Sequence, residues 1–397
     1  MITATALHDR GFHIPRDLGE LRTFLQAAME VEHLTIPLYM TGLYTIRPGT
    51  NRTAYFAIRS VLMEEMLHMT LAANLLNAVG GRPRVGRKEF VGRYPARLPF
   101  SDDDVPPVSL QHFSPGALRT FLRIEQPRSL TPPPQEGAGW TSIGQFYDAL
   151  RQGLLRIVER EGEAVVFPRG REHLQVGPDD FYNSGGEVFA VHDTASALLA
   201  LRVVAEQGEG VGDTIWDSND LIFREERTLA HYFRFHEIYS GRSYGPHDRP
   251  KDPPSGPLVD VGWQDAHPIH GDSTIAAYER FAATSEVHAR AVEFNSRYAA
   301  LLTCLDRAFN GRPRVMALAV PLMLELRDRA GQLHHNPHPD PALARLGIFA
   351  SPTFELGDPE FAAAAQAVDK DIALAGLRAG EPVDLSAVSP ATGESFA

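Results

Sequence analysis

From Asp17 to about Thr45 the apolar residues Leu18, Leu21, Leu25, Ala28, Met29, Ile36 and Tyr39 recur at three and four, the period of a helix with one buried face. Asp17 and Glu20 stand in capping-box spacing at its start. Pro37 lies inside this first helix and leaves the His33 carbonyl without its donor, so a kink or the end of regular helix is expected there. A second helix is predicted from about Thr53 to Val79 by the spacing of Ile58, Val61, Leu62, Leu75, Leu76 and Val79, and Gly80, Gly81 and Pro83 stop it. The two should form an antiparallel pair. Residues 82–113, rich in proline, arginine and aspartate, read as connection rather than core. Ser114 and Pro115 open a short helix through Leu122, and another starts near Ser142, with the turn-rich TPPPQEGAG between them. EAVVF and EVFAV are candidate short strands. A third long helix runs from Asp193 or Thr194 to the glycines of 208–210, and a fourth from about Asp220 to Tyr239. Beyond a Pro/Gly-rich linker at 245–258, helices are expected over Thr274–Phe309 and Val315–Leu333. The domain division that follows is a four-helix core with insertions over 1–245, a helical extension packed on it over 246–340, and a loosely ordered tail over 341–397.

One stretch breaks the apolar pattern with charge. In MEEMLHMTLAANLLNAVGG, Glu65 and His68 are three apart and share a face with Val61, Leu62, Ala72, Leu75 and Val79. An unpaired buried carboxylate costs several kcal/mol, so such groups must be hydrogen-bonded, paired or bound to a metal. Glu-x-x-His lets one helix offer a carboxylate oxygen and an imidazole nitrogen to a single cation inside a bundle. Glu32 lies on the inward stripe of the first helix, whereas Glu30 falls on another face and is expected to be solvated. Glu64 points about 100° away from Glu65 and is expected outside, paired locally. Farther on, Glu206 lies in line with Leu199 and Val203, Glu209 follows in the turn, and His231 is in register with Leu221, Phe235 and Ile238. The strict pattern asks for a carboxylate at Thr228, three before His231, and threonine is a poor ligand for a divalent iron. Glu225, Glu237 or a water are the substitutes on offer.

Composition narrows the chemistry. The 397 residues are 43% hydrophobic and 22% charged, as in a soluble globular protein, with formal net charge −12 and no basic block, which argues against nucleic acid or an anionic membrane as partner. The N-terminal stretch lacks a basic segment followed by an apolar run, no stretch of about 18 apolar residues occurs, and the cytoplasm is the default location. A single cysteine, Cys304, sits in a helical apolar pattern, which rules out an internal disulfide and thiolate clusters and leaves histidine and carboxylate as metal ligands. The histidines of HHNPHP at 334–339 and HPIH at 267–270 read as exposed loops. His33 sits off the inward stripe and is expected to be partly exposed or to support a ligand. There is no GxSxG and no phosphate loop.

The stretches VEHLTIPLYMTGLY, EEMLHMTLAANLLNAVGGRP, AEQGEG and LAHYFRFHEIYSG, with YPARLP and FNSRYAALLTCLDRAFNG, resemble the ferritin-like family typified by the iminophenylpyruvate dimer synthase domain of violacein and indolocarbazole pathways. The resemblance covers about residues 15–335. It implies an all-α fold, a ferritin-like four-helix bundle with long insertions and additional C-terminal helices, and a role in oxidative natural-product biosynthesis. Glu32, Glu65 and His68 match the family's first two core helices, and Glu206 and His231 match the latter two less completely. The large haem-containing region fused to this domain in some relatives is absent from the match, so dimerisation of an imino acid is not carried over. The expected function is a non-haem, dinuclear iron oxidase or oxygenase using O2 on a small, amino-acid-derived metabolite. Glu32, Glu65, His68, Glu206 and His231 are the ligand set, with Glu65 the bridging carboxylate and catalysis assigned to Glu65 and Glu32. Manganese suits the same donors, and Thr228 keeps a one-ion site open. The competing expectation is a non-catalytic bundle that stores metal or holds a small molecule. A homodimer is the default assembly.

Overall fold

The computed structural model describes residues 11–131, 139–182 and 185–376, so most of TPPPQEGAG and the tail past 376 lie outside the described residues. Among those described, the helices of ten residues or more are α1 (Leu18–Tyr44), α2 (Arg52–Ala78), α3 (Pro115–Ile124), α4 (Ile143–Glu161), α5 (Thr194–Glu209), α6 (His231–Ser240), α7 (Val287–Ala308), α8 (Met316–His334) and α9 (Asp358–Leu374), and β-structure is limited to isolated bridges. The strands expected at EAVVF and EVFAV do not form. Glu163–Val166 is a helical turn, and the Gln175 side-chain amide takes both the N–H and the carbonyl of Val191, so that backbone needs no strand partner.

Asp17 caps α1 by accepting from the Glu20 N–H at 2.8 Å. Arg22 Nε donates to the Val79 carbonyl, which ties the start of α1 to the end of α2 and makes the pair antiparallel. The helix does not stop at the proline: α1 continues through Pro37 to Tyr44. Every residue from Ala27 to Leu43 is buried, and Tyr94 Oη donates to the Leu34 carbonyl beside the proline, so surrounding packing outweighs one missing backbone bond. The enclosing wall includes the segment 82–113, which is irregular as expected yet contributes Val85, Phe90, Leu98, Phe100, Val108 and others to the core.

Contacts run from α1 to α2, α2 to α5, α5 to α4 and α4 back to α1, a closed ring of four helices. Helices α3 and α6 pack on each other, and α6 also touches α2 and α5. The fourth helix expected over Asp220–Tyr239 is broken: Asn219–Ile222 is one turn, Arg224 has φ of 59°, and regular helix resumes only at His231. Asp217 explains the break, since its N–H donates to the Thr228 carbonyl and its side chain accepts from Thr228 Oγ1, holding residues 217–228 as a loop.

The C-terminal helices are knit to this core. Helix α7 packs on α8 and α9, and Asn77 Nδ2 of α2 donates to the Phe309 carbonyl. The expected helix over Thr274–Phe309 is a short helix, Ile275–Glu279, followed by α7. Part of the stretch expected to be loose is ordered, with Phe361, Ala364, Val368 and Ile372 of α9 buried. HHNPHP is not an exposed loop either, because His334 ends α8 and both His334 and His338 are buried. Cys304 is buried. No helix among the described residues is long and apolar enough to cross a membrane.

A candidate metal centre

Two groups of side chains converge inside the ring, Glu32 with Glu65 and His68, and Glu65 with Glu125 and His231. All five residues are buried. Helices α1 and α2 supply Glu32, Glu65 and His68 from their middles; Glu125 is the C-cap of α3, and His231 is the first residue of α6.

The hydrogen bonds fix which atoms face the centre. Gln207 Nε2 donates to the Gly185 carbonyl and to Asn219 Oδ1, so Gln207 Oε1 is left as an acceptor, 2.6 Å from His68 Nε2. His68 therefore carries a proton on Nε2, and its Nδ1 turns to Glu32 Oε2 at 3.2 Å and Glu65 Oε1 at 3.9 Å. The second histidine repeats the arrangement: Nε2 donates to Glu64 Oε2 at 2.7 Å, while Nδ1 stands 3.1 Å from Glu65 Oε1 and 3.4 Å from Glu125 Oε2 without a well-directed hydrogen bond to either. Each carboxylate in turn has one oxygen tied back by a hydroxyl, from Tyr147 to Glu32, from Thr35 to Glu65 and from Tyr39 to Glu125, leaving the other oxygen inward.

Three carboxylates and two imidazoles thus present lone pairs to one small space, an arrangement that calls for positive charge, supplied by protons or by metal ions. Burial, with Glu32 and Glu125 close by, pushes the Glu65 carboxyl up to about 8. Burial alone would lower both histidines, but the carboxylates around them more than offset it: Glu32 chiefly raises His68, and Glu125, Glu64 and Glu65 raise His231 well above its ordinary value. The orphaned Nδ1 of His231 and the mixed carboxylate and imidazole donors fit a divalent ion of the iron or manganese type. The cavity among them, about 20 Å³ and also lined by Ile124, Ile143, Gly144, Val204 and Glu209, has room for a water-sized species.

Several sequence expectations need correction. Glu206 is not at the centre; it pairs with Arg202 at 2.8 Å on the outer side of α5, and its neighbour Gln207 faces inward, four residues after Val203 and seven after Ala200. Thr228 is in the loop held by Asp217, so the missing Glu-x-x-His has no helix to occupy. Glu125 supplies the carboxylate instead. A helix expected to end at Leu122 leaves Glu125 out, although Leu118, Phe121 and Glu125 share one stripe. Of the offered substitutes, Glu225 is exposed and Glu237 accepts from the Tyr244 N–H. Glu64 is not outside: it is buried, and Arg234 with His231 overcomes burial to hold its carboxyl below the ordinary range. Glu30 is likewise buried rather than solvated, and burial pushes it up to about 7. His33 is buried, with Nε2 2.5 Å from Tyr298 Oη.

Glu209 lines the inner cavity and also a larger outer one of about 420 Å³, together with Arg128, Ser129, Thr131, Gln145 and Gly212. It accepts from Ser142 Oγ and the Gly144 N–H, with Arg128 Nε at 3.6 Å. Burial raises its carboxyl, against these partners. A Cβ at Gly144 would lie 2.1 Å from that carboxylate, so any larger residue there would push the Glu209 side chain aside.

Comparison with known proteins gives a consistent picture of the architecture. A family model described as ferritin-like matches residues 25–240, more than half of the chain. Dichlorochromopyrrolate synthase of Lentzea aerocolonigenes is 27% identical over 349 residues, 80% of this chain and 31% of that protein. The 2-imino-3-(indol-3-yl)propanoate dimerase of Chromobacterium violaceum is 29% identical over 211 residues, 49% of this chain and 20% of that protein. The chain thus spans less than a third of the length of these curated relatives. A crystal structure of a ferritin-like protein from Caulobacter vibrioides superposes with a TM-score of 0.54 at 22% identity, covering 84% of this chain and 97% of that one.

Proposed function

The chain belongs to the ferritin-like family, and from that starting point we propose that it is a dinuclear non-haem iron oxidase or oxygenase acting on a small carboxylate-bearing metabolite. The observation that carries the proposal is the fixed tautomer of both histidines, whose Nδ1 atoms face carboxylates in place of hydrogen-bond donors. Glu32, His68 and Glu65 would hold one ion, and Glu65, Glu125 and His231 the other, Glu65 being common to both groups. When bound, iron supplies the redox chemistry toward O2.

The chain's own residues do the rest. Tyr147, Thr35 and Tyr39 orient the carboxylates; Glu64 and Gln207 orient the imidazoles. The apolar wall of Ile124, Ile143 and Val204 limits water at the centre. Arg128, at the outer cavity and 55% exposed on its side chain, is placed to meet a substrate carboxylate, and Glu209 stands where a proton can pass between outer cavity and centre. Both relatives are named as enzymes, one acting on an imino acid that bears a carboxylate, which supports an amino-acid-derived substrate and a place in natural-product biosynthesis. Dimerisation is not part of the proposal.

Metal analysis with oxygen uptake tests it. Protein purified from iron-supplemented cells should carry close to two irons per chain and consume O2 in the presence of a reductant. Apo protein that binds neither iron nor manganese would overturn the proposal, and metal binding with no O2 uptake under any reductant would reduce it to a binding function.

A further inference from the structure

A further cavity lies at the other end of the α1–α2 pair. Its volume is about 640 Å³, the size of a small-molecule site, and its walls come from the end of α1, the 45–51 loop, the first turn of α2, His267 and the last turns of α8. Tyr44 stands twelve residues past Glu32 on a continuous helix, which puts the cavity about 18 Å from the metal centre.

The chemistry of its lining is specific. His334 is 1% exposed; its Nδ1 is 3.1 Å from the Tyr44 carbonyl, which can only accept, so the proton is on Nδ1 and Nε2 carries a lone pair. That Nε2 is buried and has no partner among the described residues, and neither has Nδ1 of His267, whose ring lies 6.5 Å from that of His334. Burial pulls His334 down to about 3, which keeps the imidazole neutral. At the rim stand Arg47, Arg52 and Arg327, none of which makes an ion pair among the described residues, against one carboxylate, Asp328. Tyr44, Tyr55 and Phe56 give one wall an aromatic surface. These histidines form no metal-binding group: the two such groups among the described residues both lie in the centre already described.

An aromatic wall, with the guanidinium groups of Arg47 and Arg327 at the mouth without an ion-pair partner among the described residues, suits one kind of guest. We infer that this cavity is a second small-molecule site, remote from the metal centre, for an aromatic carboxylate. The ring lies along Tyr55 and the carboxylate meets Arg47 and Arg327, while Arg52 stands over the Phe56 ring, 5.6 Å from its centroid. This does not depend on what the metal centre does.

Calorimetric titration of the full chain with indole-3-acetate, and with tryptamine as the same ring bearing the opposite charge, tests the inference. Indole-3-acetate should bind at one equivalent and tryptamine should not. Arg47→Gln with Arg327→Gln, both exposed and so harmless to folding, should weaken binding at least tenfold. Arg128→Gln, at the other cavity, should leave it unchanged. No saturable binding of indole-3-acetate, equal binding of tryptamine, or weakening by Arg128→Gln in place of the Arg47 and Arg327 changes would each overturn it.

Discussion

Glu64 offers a sharp test of how the second half of the centre is built. One of its oxygens, Oε2, accepts from both His231 Nε2 at 2.7 Å and Arg234 Nη1 at 2.8 Å. In Glu64→Gln the amide carbonyl can occupy that same position, so both hydrogen bonds survive and only the charge is lost. Orienting partners of a metal-bound histidine are worth about 10–100-fold in metal affinity, and the conservative change should fall near tenfold, about 1.4 kcal/mol. Glu64→Ala removes the bonds as well and should reach ~100-fold. It also strips Arg234 of one buried partner, which costs about 3 kcal/mol, the low end for a broken buried pair, since Asp217 Oδ2 remains at 3.1 Å. Metal present at about 100 times its Kd adds ~2.7 kcal/mol to stability, and a tenfold weaker site halves that. Over 397 residues, with about 2.1 cal/mol/K of unfolding entropy each, the metal-dependent part of Tm should shrink by about 1.5 °C in Glu64→Gln. Anaerobic titration of apo protein with Fe(II), followed by calorimetry and thermal melts, reads both quantities, and only one of the two binding steps should move. Wild-type affinities in both variants would refute the reasoning that Glu64 aims His231 at an ion.

Other outcomes follow from the same geometry. Glu125→Ala should lower bound iron from two to one per chain, whereas Glu206→Ala, on the outer side of α5, should retain both; metal analysis of the two variants decides between the ligand assignments. Gly144→Ala places a methyl 2.1 Å from the Glu209 carboxylate and should destabilise by about 1–3 kcal/mol in urea unfolding, with lower activity if Glu209 is displaced. Because His334 titrates at about 3 when folded and near 6.5 when unfolded, the unfolded chain binds more protons between those values. Its contribution to stability is therefore full above pH 6.5 and falls as pH drops toward 3, by up to about 1.4 kcal/mol per pH unit; unfolding from pH 4 to 7 should show a slope shallower by that amount in His334→Phe than in the wild type, the remainder coming from groups such as His33, which burial also pulls down to about 3.

The first two core helices were legible because α1 and α2 are long, uninterrupted and regular, so period alone placed Glu32, Glu65 and His68 on the inward face. It failed for their neighbours. Glu30, His33 and Glu64 are buried because the 82–113 segment, α7 and α6 cover faces that a lone amphipathic helix would leave to water, and no local pattern reveals that. The other half of the bundle is assembled from helix ends. There a one-residue slip in α5 separates Glu206 from Gln207, and a side chain from a loop, Asp217, rather than any helix breaker in the sequence, ends the helical path before His231. Glu125 obeys the same period, three past Leu122 and on the stripe of Leu118 and Phe121, but it caps α3 and so lies just beyond the apolar run.

That difference between the two halves has a mechanical side. Glu32, Glu65 and His68 are held whether or not anything binds, since two full-length helices fix them. Glu125 caps the end of one ten-residue helix, His231 is the first residue of another, and the two are more than a hundred residues apart along the chain. An ion gripping both would act as a removable staple across that long loop, the kind of closure whose entropic advantage grows with loop length. Loading the centre should accordingly slow amide exchange in α3 and α6 far more than in α1 and α2, with the ion serving as a structural member of the short-helix half and only a guest of the long-helix half.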